Sequence, residues 1–110
     1  MTGLAAGPRI VEQAKVTEYL LSRTHPIGRY KAEFFAAFGF DVITPVVLMN
    51  ALDLHARSRP VARTISSPHG VKREVRCSIE TPDGRDPCIV TVWLQPAGAM
   101  LHRFITAYPA

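Results

Sequence analysis

With 110 residues and 47% hydrophobic content, the chain is long enough for one domain with a modest core. Its formal charge of +4 is basic, but too weakly so to dictate a nucleic-acid partner. No apolar run approaches the ~18 residues of a membrane span, residues 1–9 lack the basic-then-apolar pattern of a secretory signal, and two cysteines make neither a disulfide framework nor a zinc set. These exclusions leave a cytoplasmic protein with no membrane partner, no structural metal and no cofactor motif.

Residues 1–8 are small and glycine-containing and read as a flexible N-terminus, with 9–110 forming a single α+β domain. A first helix is expected from about Arg9 to Leu21, with Ile10, Val11, Ala14, Thr17 and Leu21 on one side. Thr24 is the candidate cap of a second helix, and Pro26 falls in its first turn. That helix ends at Gly39, a good residue for the left-handed position after a helix, so Phe40 folds back on its end. Lys31 lies inside the apolar stripe of this helix, between Phe38 and Phe35 on the helical wheel. A lysine there either snorkels out along its methylene stem or points into a cleft, because a buried ammonium needs a partner or loses its proton. A third helix follows from about Thr44 to Arg57, capped by Thr44 and opened by Pro45.

From Pro60 the pattern turns to strands. Val61–Ser67 is a short strand, and Ser67-Pro-His-Gly70 is a turn. Val71–Glu80 alternates, with Val71, Val75, Cys77 and Ile79 on one side. Thr81–Pro87 is rich in turn residues. Cys88–Gln95 follows, with Cys88, Val90, Val92 and Leu94 on one face, and Leu101–Tyr108 is the last strand. A hairpin symmetric about the Pro82–Asp83 bond pairs Val75 with Val90, Cys77 with Cys88 and Arg73 with Val92, placing both apolar sets on one face. In that register the cysteines are neighbours and read as small buried hydrophobes, while Arg73 is a charge on the apolar side. The expected architecture is α+β: two to three N-terminal helices packed on a three- to four-stranded antiparallel β-meander.

Charge is unevenly spread. Arg57, Arg59, Arg63, Lys72, Arg73 and Arg76 fall within twenty residues, opposed only by Glu74. This is either a charged edge that blocks aggregation or a face for a polyanion. No P-loop, dinucleotide fingerprint or nucleophile elbow is present. His55, in a helix tail, and His69, in a turn, read as solvent-exposed. His25 precedes a proline at a helix start and suits the capping region. His102 alternates with Phe104, Thr106 and Tyr108 against Leu101, Arg103, Ile105 and Ala107, and the buried side is undecided. Trp93 either covers the sheet or offers a stacking platform for a base.

One constellation is chemically coherent. Metal-independent RNA cleavage needs a base for the ribose 2′-hydroxyl, an acid for the leaving 5′-oxygen and cations for the phosphorane charge. His25 or His102 fits proton transfer; Lys31, Arg73 and Arg103 fit the cations; Thr106 and Tyr108 fit hydrogen bonds to phosphate.

The run His25-Pro-Ile-Gly-Arg-Tyr-Lys-Ala-Glu-Phe-Phe35, with Phe38-Gly-Phe40, Val92-Trp93 and Arg103-Phe-Ile-Thr-Ala-Tyr-Pro109, resembles a family of small bacterial domains of unknown function over about residues 14–109. The family's layout of helices and then four strands resembles the barnase–EndoU–colicin–RelE nuclease group, which contains ribonuclease toxins of toxin–antitoxin systems; this second step is fold-level analogy. The resemblance makes His25, Arg29, Lys31, Arg103, Thr106 and Tyr108 the distinctive polar positions. The chain departs from the family at residues 66–70, where a short, proline-containing stretch replaces a glycine-rich hairpin. The resulting expectation is a ribonuclease-like toxin domain acting on RNA. Its site would comprise Lys31, His25, Arg103, Thr106, Tyr108 and His102, with Arg29, Arg73 and Trp93 binding substrate. The alternative is a non-catalytic module that binds a small acidic antitoxin or immunity protein, or serves as a small assembly subunit.

Overall fold

The computed structural model describes residues 3–4 and 7–110. A short strand β1 (Arg9–Ile10) leads into helix α1, which begins at Gln13–Lys15 and continues as a π-helical stretch, Val16–Leu20. Helix α2 spans Gly28–Ala37 and helix α3 Pro45–Ser58. Strands β2 (Val61–Ser67), β3 (Gly70–Ser78), β4 (Cys88–Pro96) and β5 (His102–Pro109) complete the chain. The sheet order is β1-β5-β4-β3-β2. The α+β expectation holds, with one strand more: β1 runs parallel to β5, pairing Arg9 with His102 and Ile10 with Arg103. No helix among the described residues is long and apolar enough to cross a membrane.

The end of α2 forms as its sequence dictates. Gly39 adopts φ +100°, a region open to glycine at little cost. Its N–H reaches Ala36 O (3.0 Å) and that of Phe40 reaches Phe35 O (3.2 Å). This pair of hydrogen bonds is a Schellman closure, with the Phe35 and Phe40 ring centroids 6.0 Å apart. The start of α2 differs from expectation. Thr24 is no cap; His25 Nδ1 accepts the N–H groups of Ile27 (3.1 Å) and Gly28 (2.9 Å) instead. The first helix also starts later than its periodicity implies, because residues 9–10 are taken into the sheet. The expectation of a flexible end at residues 1–2 and 5–6 lies outside the described residues. Leu4 is buried, and its N–H bonds Ala56 O at 2.8 Å.

The β3–β4 register is shifted by one residue from the expected one. Val75 pairs with Thr91, Cys77 with Ile89 and Arg73 with Trp93. A slip of one turns every side chain of a strand over, so Ile89, Thr91 and Trp93 face the helices and Val90 and Val92 do not. Both sets are buried, and β4 is central, so its sequence shows no clean alternation to read. In β5 a bulge after the Val92–Thr106 pair puts Trp93 opposite Phe104. His102, Phe104 and Ala107 thus share the helix side with Trp93, and Arg103, Thr106 and Tyr108 face outward. The core under the helices comprises Val16, Leu20, Phe35, Leu48, Leu52, Val75, Ile79, Ile89, Trp93, Phe104 and Ala107, among others.

Two further readings are corrected. Cys77 is exposed rather than buried, and stands opposite Ile89 with φ +129°, while Cys88 stands opposite Ser78. His55 is not solvent-exposed but 1% accessible. Its Nε2 lies 2.8 Å from Cys77 O and its Nδ1 2.9 Å from Thr91 Oγ1, which in turn accepts Trp93 Nε1–H at 2.9 Å. A carbonyl can only accept, so His55 carries its proton on Nε2 and receives the Thr91 hydroxyl at Nδ1. This neutral relay satisfies every polar atom that α3 and β4 bury there.

His55 and His102 make folding acid-sensitive. Burial depresses both imidazoles; Arg59 adds to the effect at His55, although the Cys77 carbonyl opposes it, and Arg73 and Arg9 add to it at His102. A group whose folded pKa lies below its unfolded value leaves stability complete above the unfolded value, about 6.5 for histidine. Stability then falls as pH drops through that value toward the folded one. The melting temperature is therefore expected to decline between pH 7.5 and 5.5, before carboxylates titrate. An unchanged melting temperature across that interval would contradict the buried neutral pair.

Candidate functional site

Lys31 and Thr106 meet at the β5 side of the sheet. The Lys31 ammonium donates to Thr106 Oγ1 at 2.7 Å, and the Tyr19 hydroxyl lies 3.1 Å from the same oxygen. Lys31 Nζ also stands 5.1 Å from the Tyr19 ring centroid and 5.8 Å from that of Tyr108, distances at which a cation is attracted to a π face. The Lys31 head is thus ordered by the Thr106 hydroxyl and two ring faces. Among the described residues no ion pair involves Lys31, so its charge is opposed only by neutral groups. A half-buried ammonium with neutral ligands is a ready site for an anion.

Two local features aim these groups. The π stretch brings Leu21 N–H to Val16 O at 2.8 Å. This five-residue closure keeps Val16 and Leu20 in the core while turning Tyr19 toward β5. Gly28 then lets α2 approach: a Cβ there would sit 2.1 Å from Tyr19 O. Any larger residue would push α2, and Lys31 with it, away from Tyr19.

Tyr19 was not singled out in the sequence, since nothing in the pattern of residues 9–21 marks a π turn. Burial alone would raise its phenol. Hydrogen bonds from Lys31 and Thr106, and the charges of Lys31 and Lys15, outweigh this and lower it below the ordinary tyrosine value. Lys15 Nζ is 5.8 Å from the same ring.

The candidate residues divide into three groups. Lys31, Thr106 and Tyr108 converge, and His25 joins them through Tyr19, its ring edge-on at 5.0 Å. His25 Nδ1, however, is occupied by two backbone N–H groups. With Nδ1 accepting, Nε2 is the ring's donor, which leaves no free lone pair for a base. Arg103 faces outward on the Thr106 side of β5, paired with Glu12, and exposed Arg29 stacks on Tyr30 with Cζ 4.8 Å from the ring centroid.

His102, Arg73 and Trp93 stand on the other face. His102 is 1% accessible and accepts Arg73 Nη1–H at Nε2 (2.9 Å), and the same Nη1 reaches Gln95 Oε1 at 2.7 Å. Trp93 is wholly buried, with its ring edge-to-face on Phe104 at 5.4 Å. It offers no surface to a base, and His102 cannot reach a substrate bound at Lys31. These placements divide the nine candidate residues between the two faces of the sheet. Among the described residues, no group of His, Cys, Asp and Glu is arranged to hold a metal.

A model of the family described as "Domain of unknown function (DUF6883)" matches residues 6–110, and the chain belongs to it. A search of curated proteins finds no match. Among solved structures, the chain is similar to one described as "Contact-dependent growth inhibition toxin - immunity protein complex from Klebsiella pneumoniae 342". The TM-score is 0.71 at 18% identity, over 91% of this chain and 98% of that one. At that identity the likeness is one of fold.

Proposed function

We propose that this domain is a metal-independent, ribonuclease-like toxin that cleaves RNA at the Lys31–Thr106–Tyr19 cluster. The observation that carries the reading is the Lys31 ammonium, held by the Thr106 hydroxyl and two ring faces and, among the described residues, paired with no carboxylate. The fold shared with a chain of a growth-inhibition toxin complex adds to it. In the reaction, the ribose 2′-oxygen attacks the adjacent phosphorus, the 5′-oxygen leaves, and a 2′,3′-cyclic phosphate remains. Lys31 and Thr106 hold the non-bridging oxygens as charge builds on the phosphorane. Tyr19 gives its proton to the 5′-oxygen, and Lys31 and Lys15, which already favour its ionised form, stabilise the phenolate left behind. The 2′-hydroxyl proton passes to water. Arg103 and Arg29 hold flanking phosphates.

The test is total RNA incubated with the purified protein in the presence of a chelator. Fragments ending in 2′,3′-cyclic phosphate are the expected result, and intact RNA would sink the reading. Tyr19→Phe keeps the ring and removes the transferable proton. Its cleavage rate is expected to fall about 10²- to 10⁴-fold with RNA affinity unchanged, and a rate near that of the unsubstituted protein would remove Tyr19 from the chemistry.

A second reading rests on a different surface. Val42, Ile43, Val46 and Val47 stand 46%, 84%, 56% and 42% exposed around the start of α3, a cluster suited to a protein partner. If RNA stays intact and the domain forms a stable complex through these residues, it is a binding module for an acidic antitoxin or immunity protein.

A further inference from the structure

Strand β2 is the far edge of the sheet from Lys31. Its residues Ala62 to Ser67 are exposed, and its outer side has no neighbour among the described residues. Natural edges are blunted by prolines, inward charges or a covering segment. The bulge on the β2–β3 ladder lies between Val61 and Arg63; beyond it, Arg63–Ser67 is regular and carries a single charge.

The polarity of this edge follows from its turn. Ser67 pairs with Gly70 across a two-residue turn, and the pair that closes such a turn exchanges hydrogen bonds. Alternation then turns the backbone groups of Ile65 and Arg63 toward β3. Those of Ser66 and Thr64 are left pointing outward.

Beside the edge, on the sheet's outward face, lies a groove of about 480 Å³ lined by Ile65, Ser67, His69, Lys72 and Leu94. Its floor is apolar and exposed Lys72 stands at its rim; Arg76, also exposed, lies four residues further along β3. Glu74 is paired with Arg63 at 4.0 Å.

We propose that the outer edge of β2 takes an added strand from an acidic protein partner. Thr64 and Ser66 would bond its backbone, its apolar side chains would enter the Ile65–Leu94 groove, and its carboxylates would meet Lys72 and Arg76. Charge decides the kind of partner. A second copy of this chain would bring its own Arg63, Lys72 and Arg76 up to the same cations, which like-charge repulsion opposes. The inference does not depend on catalysis, since β4 and β3 separate β2 from Thr106.

The probe is a short peptide alternating valine with glutamate, compared with one that has lysine in place of glutamate. Amide exchange and chemical shifts of the intact domain are read by NMR. Protection of the Thr64 and Ser66 amides by the acidic peptide alone is expected. Thr64→Pro removes one outward N–H while sparing the ladder to β3, and is expected to weaken binding about tenfold. Should that variant melt early, Ile65→Glu, at a 36% exposed position, tests the same groove by repulsion.

Equal binding of the lysine peptide, or no protection at Thr64 and Ser66, would overturn the proposal. So would dimerisation through this edge without peptide, which would make a second copy the occupant. Single-stranded RNA shifting the same amides as strongly as the acidic peptide would make it a polyanion face instead. None of these outcomes bears on the RNA-cleavage assay, so the two proposals fail separately.

Discussion

Trp93→Ala is expected to destabilise the domain by about 3–5 kcal/mol, the range for deleting a large buried aromatic. Trp93 is 0% exposed at the centre of β4, where it packs on Phe104 and donates to Thr91. The deletion removes both contacts and leaves a cavity between the sheet and the helices. Thr91 would keep its bond to His55 but lose its donor, adding about 1 kcal/mol. Against a typical total of about 5–15 kcal/mol, this is a large fraction, and the melting temperature should fall by more than about 10 °C. Trp93→Phe keeps most of the volume and should cost much less. Thermal unfolding followed by circular dichroism checks both, and a loss below about 1 kcal/mol for the alanine variant would show that Trp93 is not the centre of packing.

On the proposed ribonuclease reading, Lys31→Met is expected to abolish most RNA cleavage while leaving the fold intact. Methionine keeps the apolar stem that passes Tyr19 and Tyr108 and loses only the ammonium. Removing one preorganised donor at a developing oxyanion costs about 10²- to 10³-fold in rate. Because Lys31 is half-exposed and bonded to a neutral hydroxyl, the melting temperature should stay within the narrow range typical of surface changes. Wild-type RNA cleavage by a folded Lys31→Met protein would place the chemistry elsewhere.

Local signals carried much of this fold in the sequence. The Schellman closure at Gly39–Phe40, the Pro45 start of α3 and the turns at 67–70 and 81–87 are each written in a few adjacent residues. What stayed hidden was set by partners distant in the chain. The one-residue register of β3 on β4 depends on the loop that joins them, and β4 buries both faces, so its alternation carried no vote. The bulge in β5 decided which of Arg103 and His102 faces outward, and no residue there announces it. His55 read as a surface histidine because its acceptor, the Cys77 carbonyl, is 22 residues away. At the site, Lys31 stood out because a charge in an apolar stripe is a local anomaly. Tyr19 did not, because a tyrosine near a helix end is ordinary until the backbone geometry is known.

The π turn at residues 16–20 also bears on how such a domain diverges. A helix acquires a turn of this kind when one residue is added to an α-helical frame, since the extra residue is absorbed as a wide loop of backbone. The flanking turns keep their register with the core, as Val16 and Leu20 do here. One codon gained or lost between those two residues would therefore swing the Tyr19 ring by about 100° with little change in what the helix buries. Relatives with the same core could carry the aromatic on a different flank, and length differences in this one turn would track changes in chemistry more closely than identity across the sheet.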